Sequence, residues 1–327
     1  MGRVRARNWH PLSDRRSRRA GHDQLRSEGG AGLIVVFTPV HGRYDLAQKC
    51  FESIEQHVPR PFAHFIFDDF SPEPDAKAFW ESTGPIFAQG GPNVYPGGSS
   101  GAAYWSEHGG ENGGPGSARQ CYRASDASRA GSPIMHAEPP NLGAGLLWAW
   151  QYARAAENVT GFLSIESDVI LRPGCVEALR EAEVLHRGGA GAVAPLYTKV
   201  GGNSIETFGG CEDRGFMSLS RGQEIGSWHR DAPTIDVLPW AHLACLWIPS
   251  YVLAREDIAP DPNFRLYYQD FDLCYQIKRA GFEIIVTDRA VAEHTRANAS
   301  TGLVWKDESV RSAKEQECYA QLLRKWA

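Results

Sequence analysis

Three of the acidic pairs in this sequence stand at a predicted strand end or helix start, where they could do chemistry on a charged or hydroxylated substrate. Asp68 and Asp69 are adjacent, Glu166 and Asp168 flank Ser167, and Asp270 and Asp272 flank Phe271. Two acids one residue apart at the end of a strand can fork around a hard divalent cation from a single turn. A carboxylate at a nucleotide site can accept hydrogen bonds from a base N–H or from sugar hydroxyls. A carboxylate ionised at neutral pH can also take a proton from an attacking hydroxyl. Each pair has an ordinary reading as well. Asp is frequent in turns, and Asp270 and Asp272 stand where an N-cap and a first-turn acid belong.

Apolar runs position these acids. Leu33–Phe37, Phe62–Phe67, Pro133–Ala137, Thr160–Ile165, Ala190–Pro195 and Phe282–Thr287 read as strands, several of them uninterrupted in the way of buried parallel strands. Leu46, Cys50, Ile54 and His57 mark one helix face, and Leu146, Leu147, Trp150 and Ala153 another. Residues 174–185 and 306–327 read as further helices. A short helix is predicted from near Asp270, with Gly281 at its left-handed C-cap and His294 beyond the strand that follows. Asp68–Asp69 and Glu166–Asp168 therefore close strands, at the sheet edge where open α/β proteins place ligands.

The order and content of these segments resemble family 2 glycosyltransferases of the GT-A fold. The resemblance covers roughly 33–75 and 133–327. It rests on Thr38-Pro39-Val40-His41-Gly42-Arg43, Asp68-Asp69-Phe70-Ser71, Asn141-Leu142-Gly143, Glu166-Ser167-Asp168 with Val169-Ile-Leu-Arg-Pro-Gly behind it, and Gln269-Asp270-Phe271-Asp272-Leu273 running to Arg279 and Gly281. It implies an α/β chain with a Rossmann-like, mostly parallel central sheet flanked by helices, and an acceptor-side subregion toward the C-terminus. It implies donor-nucleotide contacts from Thr38, Pro39, Val40, Arg43, Asp68, Asp69, Asn141, Gly143, Glu166 and Ser167. Asp168 and His294 would hold Mn2+ or Mg2+, with Glu166 joining them or reaching the ribose. Asp270 would be the catalytic base of an inverting transfer from a nucleotide-diphosphate sugar. Trp240, His242 and Gln269 would face the sugar or the acceptor, which would be a glycan, a lipid-linked molecule or a small molecule, and Asp272 would fix the helix start or contact an acceptor hydroxyl. The style of the Asp270 helix is closest to rhamnosyltransferases. Gln269 and Glu166 depart from the family pattern and keep open a non-catalytic, nucleotide-sugar-binding relative. A sugar nucleotidyltransferase would need a glycine-rich basic loop after the first strand, and Thr38–Arg43 is not one.

Composition bounds the rest. The chain has 327 residues and a net charge of −5; its first 30 residues hold eight Arg against three acids, so the body is acidic, and nucleic acid is not an expected partner. Residues 1–31 read as a basic, disordered arm, and 32–327 as one domain. Its nucleotide-sugar half is 32–170, with a Gly/Ser-rich insertion at about 84–132, and its acceptor half is 171–327. Seven scattered cysteines suit buried thiols in a reducing compartment. No apolar run approaches the ~20 residues of a membrane span. The expected location is cytoplasmic, with peripheral contact to a membrane surface compatible with the basic arm.

Overall fold

The computed structural model describes residues 32–40, 43–68, 104–107, 118–123, 142–186, 189–203, 205–207, 235–295 and 308–326, all within the compact unit Gly32–Ala327. In chain order the elements are β1 (Leu33–Val40), α1 (Tyr44–His57), β2 (Phe62–Asp68), β3 (Tyr104–Glu107), β4 (Ala118–Arg123), α2 (Leu142–Ala155), β5 (Val159–Ile165), β6 (Val169–Leu171), α3 (Cys175–Leu185), β7 (Ala190–Thr198), β8 (Ile205–Thr207), β9 (Ile235–Leu238), β10 (Cys245–Pro249), α4 (Ser250–Leu253), α5 (Gln269–Arg279), β11 (Glu283–His294) and α6 (Glu308–Trp326). The predicted strand 133–137 lies outside the described residues.

The strands form one sheet in the order β3-β4-β2-β1-β5-β10-β7-β11-β6, with β8 on β7 and β9 on β11. Strands β4, β2, β1 and β5 are parallel neighbours. Strand β10 runs against both β5 and β7, and β11 is parallel to β7. All the central strands except β10 thus point one way. Their carboxyl ends share an edge, as the mostly parallel α/β expectation requires.

Period-2 alternation divides the core. Val35 and Phe37 of β1 pack with Phe65, Phe67 and Phe162 against the α2 residues Leu146, Ala149 and Trp150 and the α5 residues Leu273 and Ile277. Ile34 and Val36 pack on the other face with Ile66, Leu163 and Ile165, beneath Cys50 and Ile54 of α1 and Val176 and Leu179 of α3. Helices cover both faces, and this is why these strands read as unbroken apolar runs. The five cysteines whose side chains are described, Cys50, Cys175, Cys245, Cys274 and Cys318, are buried thiols.

The stretch 84–132, read as a Gly/Ser-rich insertion, contains β3 and β4, and β4 continues the parallel sheet from Ala63–Asp68 of β2. One sequence expectation is corrected: β11 does not stop at Thr287. After a register shift between Thr287 and Val291 it continues to His294, so His294 ends the strand instead of following it.

Gly281 sits at φ 86°, and Phe282 N–H and Gly281 N–H bond to the carbonyls of Ile277 and Lys278. This is a Schellman ending, which turns the chain from α5 into β11. Gly281→Ala forces a left-handed alanine and should cost about 1–2 kcal/mol, read as a lower denaturant midpoint at unchanged m-value.

Candidate metal and acid–base site

The site is built at the carboxyl edge of the sheet. Strand β5 ends at Ile165, and the chain makes a turn closed by Val169 N–H donating to Glu166 O (3.0 Å). Glu166 N–H donates to Ala244 O (2.9 Å), tying that turn to the segment that leads into β10. The chain then doubles back as β6, antiparallel to the end of β11, with Val169 opposite His294. Thr295 closes the junction, its N–H on Asp168 O (3.1 Å) and its hydroxyl on Asp168 Oδ2 (3.3 Å). Residues far apart in sequence are brought together by this backbone pairing.

The result is a cluster of Glu166, Asp168 and His294, each offering one ligand atom, all within 4.8 Å of one another. His294 Nε2 lies 3.2 Å from Asp168 Oδ1 and 4.0 Å from Glu166 Oε2. Desolvation, then the neighbouring Asp168 charge, raises the Glu166 carboxyl to about 7, though 42% of the side chain stays exposed; His294 opposes this and Asp270 adds to it. Enclosure would also raise Asp168, but the hydrogen bond and charge of His294 more than offset it and leave Asp168 below its usual value. Two carboxylate oxygens and an imidazole nitrogen make a donor set that fits Mn2+ or Mg2+.

Helix α5 brings the third acid. It starts one residue before Asp270, behind Tyr268 in a left-handed conformation (φ 70°). Asp270 Oδ1 accepts from Phe271 N–H (2.9 Å), and Asp270 Oδ2 lies 3.7 Å from His242 Nδ1. His242 is held edge-on by Trp240 (4.7 Å) and Tyr197 (6.4 Å). Arg43, also left-handed (φ 48°), pairs with Asp45, and the Asp168 charge acts on it as well. The structure therefore brings Glu166, Asp168, His294, Asp270, His242 and Arg43 to one edge, with Ser167 in the turn between the two acids.

Other predicted site residues are placed differently. Trp240 is 2% exposed and stacked on Phe271 (4.2 Å), so it supports His242 and offers no face to a sugar. Asp272 is 1% exposed, and its oxygens are taken by Gln276, Lys325 and Trp326. Gln269 is buried too. Thr38 is fully buried on His64 Nε2 (2.9 Å), Val40 is core, and Pro39 is partly exposed beside them. Gly143 packs α2 against the 261–264 loop: a Cβ there would stand 2.4 Å from Phe264 O. Asp69, Asn141 and the side chain of Asp68 lie outside the described residues. Sequence reading gave no site role to Lys325 and Trp326, although the ending Leu322-Leu323-Arg324-Lys325-Trp326-Ala327 resembles the Lys-Trp that closes many family 2 members.

No protein-family model matches the sequence, and no curated protein does. Among solved structures, the crystal structure of GalNAc-T7 with UDP, GalNAc and Mn2+ is similar, with TM-score 0.52 and 12% identity over 80% of this chain and 43% of that one. This chain thus spans less than half of that protein. The likeness carries the fold, and the fold is GT-A. No described helix is long and apolar enough to cross a membrane.

Because Glu166 sits near 7, it carries its proton at pH 6 and loses it by pH 8, and a cation competes with that proton. Mn2+ affinity measured by calorimetry should therefore rise about tenfold between pH 6 and 8. Glu166→Gln should reduce that dependence, and Asp168→Ala should abolish binding.

Proposed function

We propose that the protein is a metal-dependent glycosyltransferase that moves a sugar from a nucleotide-diphosphate donor to an acceptor hydroxyl with inversion. The observation that carries this reading is the Glu166–Asp168–His294 cluster, with the Asp270 carboxylate close enough to perturb Glu166. A donor site and a proton acceptor then share one cleft, on a fold whose solved neighbour was crystallised with UDP, GalNAc and Mn2+.

Asp168 and His294, with Glu166, would hold the divalent cation. When bound, that cation would offset charge on the departing diphosphate, which is the larger contribution expected in such a site. Arg43, near Asp168, adds a fixed positive charge on the donor side. Asp270 accepts the proton of the acceptor hydroxyl as its oxygen bonds to the anomeric carbon and the bond from that carbon to the diphosphate oxygen breaks. His242, 3.7 Å from Asp270, orients that carboxylate or contacts the sugar. Bound donor, acceptor oxygen and Asp270 aligned in this way give inversion at the anomeric carbon. Rhamnose as the transferred sugar, and membership of family 2, rest on the sequence resemblance around Asp270.

Asp270→Asn should lower turnover of a nucleotide sugar by about 10²–10⁴-fold while Mn2+ still binds. NMR of the wild-type product should show the opposite anomeric configuration to the donor. A retained configuration, or full activity in Asp270→Asn, removes Asp270 as the base.

A further inference from the structure

We propose that Lys325 and Trp326, at the end of α6, are positioning residues for the site: through Asp272 they hold the turn of α5 that aims Asp270 into the cleft. The role assigned to Asp270 rests on the function proposed above; the mechanical claim rests on geometry alone.

Asp270 and Asp272 are two residues apart on a helix, so their side chains point about 200° apart around its axis. Asp270 is partly exposed beside His242, and Asp272 faces inward. Asp272 takes Trp326 Nε1–H on Oδ1 (2.8 Å), Gln276 Nε2–H on Oδ2 (2.8 Å), and Lys325 Nζ at 2.9 Å and 3.0 Å from its two oxygens. The grip continues along the same stripe of α5. Trp326 meets Tyr275 edge-on (5.5 Å), and the Arg279 guanidinium lies 5.0 Å from the Trp326 ring centre. Asp272, Tyr275, Gln276 and Arg279 are spaced i, i+3, i+4 and i+7, one helix face.

The far side is anchored as well. Lys325 Nζ also bonds Asp261 Oδ2 (2.8 Å), and Gln276 both donates to and accepts from the Ala259 backbone (2.8 and 2.9 Å). The loop at 259–264 that these bonds fix is the one Gly143 of α2 packs against. The clamp thus ties α5 to α6, to that loop and through it to α2. Stability alone does not call for it, since a buried ion pair is often replaceable by apolar residues at no cost in stability. What it does is fix the rotation of a helix whose first residue follows a left-handed Tyr268, a strained entry that holds only when its surroundings determine it.

The test uses the full chain with Trp326→Phe and, should that variant not fold, Lys325→Met. Hydrogen exchange is followed in 269–273 and in the metal turn 163–171, alongside Mn2+ titration and steady-state turnover. Exchange in 269–273 should rise about tenfold while the metal turn and Mn2+ affinity stay within about twofold. Turnover should fall in kcat by about ten- to a hundredfold with the donor KM unchanged, and Lys325→Arg should keep most of it. Unchanged exchange in 269–273 overturns the proposal, as does an equal rise in both segments, which marks general loosening. If the wild-type protein transfers no sugar, the functional reading falls, and the exchange measurement still decides the clamp.

Discussion

The short antiparallel pairing of β6 with the end of β11 is the interaction on which the site depends. A parallel sheet delivers its loops to one edge but does not by itself make two of them touch. Here the chain leaves β5, turns at Glu166–Val169, and runs back beside β11, so that His294 is opposite Val169 and its ring reaches Asp168. The register shift between Thr287 and Val291 changes how β11 pairs with β7 before it meets β6. Such irregularities recur where a strand must re-aim a side chain. A metal site assembled by backbone hydrogen bonds is more rigid than one hung on free loops, and rigidity is what a short ligand set needs.

Around that pairing the structure keeps like charges close. Glu166 and Asp168 share a turn with Asp270 nearby, and His294 supplies the compensating contact among them. The cost is visible in Glu166, whose carboxyl is raised to about 7. Groups perturbed in this way mark a candidate functional site. The core beneath is conventional. Helices on both faces, fully buried strands and aromatic side chains, with Trp240 on Phe271 and Tyr197 between its two hydrogen bonds to Cys245, hold the edge in place.

Much of this was legible in the sequence, for a physical reason. Strands buried on both faces are apolar without interruption, so β1, β2, β5 and β7 read directly, and Gly281 marked the end of α5 because only glycine enters the left-handed region without penalty. Glu166, Asp168, Asp270 and His294 were singled out through the resemblance to family 2 enzymes, and the structure groups Glu166, Asp168 and His294 in one cluster. Strands β3 and β4 were not, since Tyr-Trp-Ser-Glu and Ala-Arg-Gln-Cys-Tyr-Arg are short and lie among glycines and serines. The inward turn of Asp272 was half legible: helical spacing already forbids it from facing the same way as Asp270. Its partners were not, because Lys325 and Trp326 are more than fifty residues away and no local pattern encodes that contact. Trp240 was a candidate for contact with the sugar, with a structural role the alternative, for the opposite reason. An aromatic beside a histidine looks the same in sequence whether the ring faces solvent or, as here, Phe271.

The central claim is that one cleft binds a nucleoside diphosphate together with a divalent cation. The most direct measurement is thermal unfolding with UDP, dTDP, GDP and CDP, each with and without Mn2+. A ligand that binds only the folded chain stabilises it by about 2.7 kcal/mol at a hundredfold excess over its Kd. One diphosphate should raise the transition only when Mn2+ is present, and Asp168→Ala should remove the effect. No shift with any diphosphate, or an equal shift without metal and in Asp168→Ala, would contradict the central claim.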